Sequence, residues 1–276
     1  MKIAVAGLGL IGGSLAKGFT DFSGAEVYGH DKDESTILRA KLTSSIKESL
    51  TKKNISLCEY IFIALYPQAT IDFLKEYAPF ISKEAIVVDC GGVKRRICEE
   101  CGEIAKKYGF CFVGGHPMAG THNSGFKYSR ASMFEKATMV LVPQKNEKIE
   151  RLQKLKELLL KIGFKGVVIS TASEHDRIIA FTSQLAHIVS NAYVKSPNAR
   201  VHKGFSAGSF RDLTRVAKLN ADMWTQLFME NADNIKAELD CIIGELTKYK
   251  QAIENNDEKE LKLLLEEGTI IKESIG

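Results

Sequence analysis

The stretch Lys2-Ile3-Ala4-Val5-Ala6-Gly7-Leu8-Gly9-Leu10-Ile11-Gly12-Gly13-Ser14 decides the fold of this chain. Ile3 to Ala6 is a short, wholly apolar run of the kind that forms a strand buried on both faces. Ser14 to Phe19 has helical spacing, and the glycines between them fit G-x-G-x-x-G. That spacing is informative only where it joins a strand to a helix, and here it does. Gly7 would make the tight turn, Gly9 would let a pyrophosphate approach the backbone, and Gly12 would let helix and strand pack closely. The amides of the helix start, around Leu8, Leu10 and Ile11, would then face the phosphates.

Outward from the loop, Ala25 to Gly29 reads as a second strand, and Asp31 follows it, 19 residues after Gly12. A carboxylate there accepts hydrogen bonds from ribose hydroxyls and repels a 2′-phosphate, so the expected cofactor is NAD rather than NADP. Further strands are expected at Tyr60 to Leu65, Ala85 to Val88, Phe110 to Val113 and Thr138 to Val142, with Val167 to Ser170 as the last. Helical spacing lies between several of them, as in Ile71, Leu74, Tyr77 and Ala78. Apolar strands separated by amphipathic helices imply an α/β fold, a Rossmann-type doubly wound parallel sheet covered on both faces. Beyond Thr171 the pattern turns helical, with Ile178, Phe181, Leu185, Ile188 and Val189 on one face and Ile235, Leu239, Ile242 and Leu246 on another. Ser173-x-x-Asp176 is the expected capping start of the first of these helices. The expected division is therefore a dinucleotide-binding domain over 1–171 and a helical domain over 172–276.

Composition narrows the partners. Over 276 residues, 45% are hydrophobic and 26% charged, with 38 basic against 34 acidic residues and a formal net charge of +4. This is a globular profile and gives no ground for a nucleic-acid or membrane partner. No apolar run approaches the roughly 20 residues that span a bilayer, and Lys2 leads straight into a strand rather than a secretory signal. The six cysteines are not spaced as a disulfide framework, and Cys98-x-x-Cys101 has no second pair to complete a zinc site. Reduced thiols and a cytoplasmic location are expected. Lys94-Arg95-Arg96 reads as the solvated face of a helix.

The first chemical candidate is His116, framed by Gly114-Gly115 and Pro117-Met118-Ala119-Gly120 just after the strand ending at Val113. Strand carboxyl ends in such sheets open onto the ligand crevice, and a neutral imidazole there can accept a proton. In the helical half, Ser183 and His187 stand i, i+4 on one helix face. Gly208-Ser209-Phe210-Arg211-Asp212-Leu213-Thr214-Arg215 leads towards Met223-Trp224, and an arginine at such a turn can hold a carboxylate.

Taken together these residues resemble the prephenate and arogenate dehydrogenase family of tyrosine biosynthesis. The matching runs are Gly7 to Ser14, His116 to Thr121, Ser124-Gly125 to Phe134, Glu174-His175-Asp176, Ser183 with His187, Thr214-Arg215-Val216-Ala217 and Met223-Trp224. The resemblance implies NAD-dependent oxidation and decarboxylation of a cyclohexadienyl substrate. It implies that His116 is the base, that Arg215 binds a substrate carboxylate, and that Ser183, His187 and Gly208 lie about the substrate. It also implies a helical half that builds a homodimer, with prephenate or arogenate as the small-molecule substrate. Two positions depart from the family's pattern: Gly92 stands where a serine is usual, and Gln184 where a histidine is usual. Polar groups near base or substrate are expected to be lost there. Other readings are a β-hydroxyacid dehydrogenase, although Ile178 to Asn191 holds no lysine, and a nucleotide-sensing protein without turnover.

Overall fold

The computed structural model describes residues 1–121 and 123–276. Strand β1 (Lys2–Ala6) leads into helix α1 (Leu10–Ser23), then β2 (Glu26–His30), α2 (Glu34–Leu42), β3 (Glu48–Ser49) and β4 (Tyr60–Ile63). Helix α3 (Pro67–Tyr77), β5 (Ile86–Asp89), α4 (Arg95–Tyr108), β6 (Cys111–Pro117), β7 (Thr138–Pro143), α5 (Ile149–Lys161) and β8 (Gly166–Ile169) complete the sheet region. The strand order is β3-β2-β1-β4-β5-β6-β7-β8. The order reverses at β1, between β2 and β4, which is where a doubly wound sheet opens its crevice.

Both sheet faces are covered, so the strands are apolar throughout. Ile3, Val5, Phe62 and Val88 pack on Leu15 and Phe19 of α1 and Leu155 and Leu159 of α5. Ala4, Ala6, Ile61 and Val87 face Ile71 and Leu74 of α3 and Ile97 and Cys101 of α4.

The sheet departs from the expected pattern in three places. The short strand β3 extends the edge, pairing Tyr28 with Glu48 and Gly29 with Ser49; two residues leave no periodicity to read. Strand β6 continues past Val113 to Pro117. Strand β7 then runs antiparallel to it, pairing His116 with Val140 and Pro117 with Met139. The connection re-enters the sheet at the end it left, so no crossover helix is needed. It carries two 3₁₀ turns, Phe126–Tyr128 and Ala131–Phe134. These dock on α1: the Arg130 amide donates to Ser14 Oγ at 3.0 Å and Lys17 Nζ to the Ser129 carbonyl at 2.8 Å. A Cβ on Gly13 would come within 2.8 Å of Phe126 and Ser129 side chains, which explains the second glycine of the Gly12-Gly13 pair.

Beyond Ile169 no strand occurs among the described residues. Helix α6 (Ala172–Ile179), a π-helical turn (Ala180–Leu185) and α7 (Ala186–Tyr193) form one continuous rod. The rod is capped by Thr171, whose side chain accepts the Glu174 amide, not by Ser173 with Asp176 as the spacing led us to expect; Asp176 is turned inward. Then follow α8 (Gly208–Thr214), α9 (Ala221–Glu230), α10 (Ala232–Glu254) and α11 (Glu258–Ile275). Ile235 is buried, but Leu246, Ile253, Ile270 and Ile271 on the last two helices are exposed. No helix of the described residues is long and apolar enough to cross a membrane.

Candidate active site

The glycine loop has the geometry a dinucleotide needs. Gly7 sits at φ +84°, and a Cβ on it would lie 2.4 Å from the Ala64 carbonyl oxygen. A Cβ on Gly12 would lie 1.8 Å from the Gly7 carbonyl oxygen, so α1 can approach β1 only through glycine. A Cβ on Gly9 meets nothing within 4 Å. No side chain caps α1 at Gly9, and no acidic residue occupies its first turn, so its amides are available to an anion. Asp31 stands beside the loop: Oδ2 accepts the Leu8 amide at 2.8 Å and Oδ1 the Asp33 amide at 3.0 Å. Each oxygen retains a lone pair for a ribose hydroxyl. These residues fit a dinucleotide without a 2′-phosphate.

Gly9 and Gly12 therefore separate binding from folding. Gly9→Ala is expected to melt with the parent protein yet bind NAD at least about tenfold more weakly, because the new methyl points where the pyrophosphate must approach. Calorimetric titration with NAD beside a thermal melt checks this, and an unchanged affinity would move the cofactor elsewhere.

His116 is not in a loop. It lies near the end of β6, beyond the last residue that β5 pairs, which is Val113. There β6 pairs as a strand only with β7. Its glycines let it in: a Cβ on Gly114 would lie 2.6 Å from Cys98 Sγ, and one on Gly115 would lie 2.5 Å from the Asp89 carbonyl oxygen. His116 Nδ1 is 2.9 Å from His175 Nε2, and His175 Nδ1 is 2.8 Å from Asp176 Oδ1. The same carboxylate accepts the backbone amide of Lys94 at 2.7 Å on Oδ1 and that of Arg95 at 2.9 Å on Oδ2. Burial pushes Asp176 up, but the His175 hydrogen bond and the Arg95 and Lys94 amides outweigh it and hold the carboxyl below its usual range. Burial, with His175 and the Lys94 charge nearby, holds the His116 imidazole well below its usual value.

Lys94-Arg95-Arg96 is not a solvated face. Lys94 is fully buried and paired with Asp89, which is 1% exposed; Nζ donates to Oδ1 at 2.6 Å. Burial pushes the Asp89 carboxyl up, against the opposing pull of Lys94. Arg95 reaches Asp176 through Nε at 3.3 Å and also holds Asp233 and Asn231 with its guanidinium. Arg96 joins Glu100, Glu230 and Gln68. The three cations thus clamp α4 to the sheet on one side and to α6, α9 and α10 on the other, a role the polarity of the run does not reveal.

The helical candidates form a second group. His187 Nδ1 lies 2.8 Å from the Ser183 carbonyl oxygen, which makes Nδ1 the donor and leaves Nε2 open. The His187 ring packs against Trp224 with centroids 4.1 Å apart. Ser183 and His187 lie on the rod containing the π-helical turn, a distortion frequent at functional positions, and Trp224 reaches it from α9. Gly208 opens α8 and Arg215 follows it. That segment is tied to α7 by Ser190 Oγ donating to the Leu213 carbonyl at 2.7 Å and Asn191 Nδ2 to the Ala217 carbonyl at 3.0 Å. Arg215 is exposed and forms no ion pair among the described residues. No direct contact joins it to His116 among them.

Gln184 and Gly92, the two departures from the family's pattern, both lie against Leu227 of α9. Gln184 is buried, donates to the Leu227 carbonyl at 3.1 Å and accepts from Asn231 Nδ2 at 2.6 Å. It ties α9 and α10 to the rod. Gly92 faces Leu227, whose methyls would meet an added Cβ at 3.4 and 3.5 Å.

Comparison with known proteins gives this arrangement a family. Residues 19–169 match the family model described as prephenate dehydrogenase, nucleotide-binding domain, and residues 171–267 the one described as prephenate dehydrogenase, dimerization domain. A curated prephenate dehydrogenase from Lactococcus lactis subsp. cremoris is 32% identical, over 95% of this chain and 76% of its own length. The crystal structure of prephenate dehydrogenase from A. aeolicus in complex with hydroxyphenyl propionate and NAD+ superposes with a TM-score of 0.88 at 27% identity, covering 100% of this chain and 98% of that one. Synechocystis arogenate dehydrogenase superposes with a TM-score of 0.83, also at 27% identity, with both chains wholly covered. The glycine turn at the sheet's reversal point, the histidine on β6 and the two matched domains lead to one conclusion: this chain belongs to the prephenate dehydrogenase family.

Proposed function

We propose that the protein catalyses the NAD-dependent oxidative decarboxylation of prephenate to 4-hydroxyphenylpyruvate, with His116 as the base. The observation that carries this reading is the placement of His116. It is an imidazole held neutral at the carboxyl end of β6, hydrogen-bonded through Nδ1 and with Nε2 left for a substrate. Bound NAD supplies the hydride acceptor. His116 Nε2 takes the ring hydroxyl proton as hydride leaves the carbon that bears it. Loss of the ring carboxylate as carbon dioxide then gives the aromatic ring, and the proton on Nε2 returns to the phenolate oxygen. Gly7, Leu8, Gly9, Leu10, Ile11 and Gly12 hold the pyrophosphate, and Asp31 the ribose. Ser183, His187 and Gly208 line the substrate side, and Arg215 binds a substrate carboxylate. The protein's main work is to place the substrate and receive one proton.

The dinucleotide domain runs over 1–171 and the substrate and dimerisation domain over 172–276. The exposed apolar residues of α10 and α11 supply the face for a homodimer. Five of the six cysteines are buried as free thiols, which fits an enzyme of the cytoplasm. Arogenate, which differs by an amino group in place of the side-chain keto group, is the second reading; the likeness to the Synechocystis enzyme supports it. NADH formation with prephenate and arogenate side by side tests both. Turnover of neither, with NAD bound, would favour a nucleotide-sensing role.

Arg215→Ala is expected to raise the Michaelis constant roughly 10- to 150-fold, the worth of one charged hydrogen bond of about 1.5–3 kcal/mol. NAD affinity should not change. An equal loss of NAD affinity would assign Arg215 to the cofactor instead.

A further inference from the structure

The hydrogen bonds behind His116 form a directed chain that ends on its reactive nitrogen. Asp176 is an ionised carboxylate and can only accept. His175 Nδ1, 2.8 Å from Oδ1, must therefore carry the proton of that bond. In the neutral ring this leaves Nε2 bare, so across the 2.9 Å contact it accepts from His116 Nδ1. His116 Nδ1 is then the protonated nitrogen, and Nε2, facing away from His175, carries the lone pair. Both members of the chain are fixed in place. His175 and Asp176 are 4% and 0% exposed, the two α4 amides hold the carboxylate, and Asn231 Nδ2 donates to the Asp176 carbonyl at 2.8 Å.

We propose that Asp176 and His175 are positioning residues that set the tautomer of His116, placing its proton on Nδ1 and its lone pair on Nε2. This deepens the reading of His116 as the base and rests on it. An imidazole left to itself distributes its proton between both nitrogens, and a His116 protonated on Nε2 could not take a hydroxyl proton there. Replacing the carboxylate with an amide reverses the chain. An asparagine that keeps its oxygen on the two Arg95 donors, the amide and Nε, turns its NH₂ to His175 Nδ1 at the cost of the Lys94 amide bond, and so makes that nitrogen the acceptor. His175 Nε2 then donates to His116 Nδ1, and the His116 proton moves to Nε2. The device exists only while the rod from α6 is docked on α4, because the carboxylate is held by amides of Lys94 and Arg95. Domain docking and base activation are thus one event.

The test is ¹⁵N spectroscopy of the imidazoles in the full-length protein at about pH 8, above the ordinary imidazole value of about 6.5, with the His116 signals assigned by their loss in His116→Asn. The wild type should show a neutral His116 protonated on Nδ1. Asp176→Asn should show it on Nε2, with turnover lower by roughly 10²–10⁴-fold and NAD affinity kept. His175→Leu, which removes the acceptor without adding a polar group, should lose the Nδ1 preference as well and serves if the asparagine variant does not fold. A wild-type His116 protonated on Nε2, or a His116 tautomer unchanged in both variants, overturns the relay. Because that readout involves no turnover, it stands apart from the base assignment, which fails only if His116→Asn remains active.

Discussion

His116→Asn is expected to lower turnover by about 10²–10⁴-fold, the usual contribution of a positioned base, while leaving NAD affinity as it was. An asparagine keeps a donor that can meet His175 Nε2 across the 2.9 Å contact, so the local packing survives and only proton acceptance is lost. Steady-state NADH formation and NAD titration together check it. The pH profile should carry the same signature. Burial, His175 and Lys94 all hold the imidazole below its usual value, so the base stays neutral to lower pH than an exposed histidine. The acid limb of kcat/KM is therefore expected below about 6.5, with activity lost as pH falls and His116 gains its proton. The charged and titratable groups around it are His175, Asp176, Lys94 and Asp89. Full activity in the asparagine variant would remove His116 from the reaction.

Lys94→Met should destabilise the fold by about 3–5 kcal/mol, the cost of leaving one partner of a buried ion pair unmatched. The pair is shielded from water on both sides, at 0% and 1% exposure, so no solvent screening softens the loss. The sign of the pH dependence follows from Asp89, which burial already pushes up. Without Lys94 its folded-state value rises further above the unfolded one. The penalty is then greatest at neutral pH, where the unfolded chain carries the charge, and shrinks as pH falls towards about 4 and both states take up the proton. Urea unfolding at pH 7 and pH 5 measures this; equal deficits at both would mean that the loss is packing alone. The methionine also removes a positive charge beside His116, so the acid limb of any remaining activity should move up.

Much of the dinucleotide half is legible in the residues because its constraints are local. A Cβ cannot fit at Gly7 or Gly12, and strands covered on both faces must be apolar throughout. What lay beyond reach depended on contacts distant in the chain. The antiparallel course of β7 goes with the docking of the 126–134 turns on α1, and it is the pairing with β7 that draws His116 into β6. Lys94, read as solvated from its polar neighbours, is buried because Asp89, on another element, faces it. The partners of Gln184 are likewise set from afar, since Asn231 and Leu227 claim its amide. His175 enters the reading of the sequence only through a family pattern, and Asp176 otherwise only as a capping residue, a role Thr171 fills instead. A histidine-aspartate pair at the first turn after a sheet's last strand is the signal that could have singled them out, because such a turn points back to the strand ends.

A crystal structure of this protein with NAD and hydroxyphenyl propionate bound tests the central claim most directly. The phenol oxygen is expected within hydrogen-bond reach of His116 Nε2, beside the nicotinamide, with the propionate carboxylate on Arg215. A phenol turned away from β6, or His116 and Arg215 opening onto separate surfaces, would contradict it.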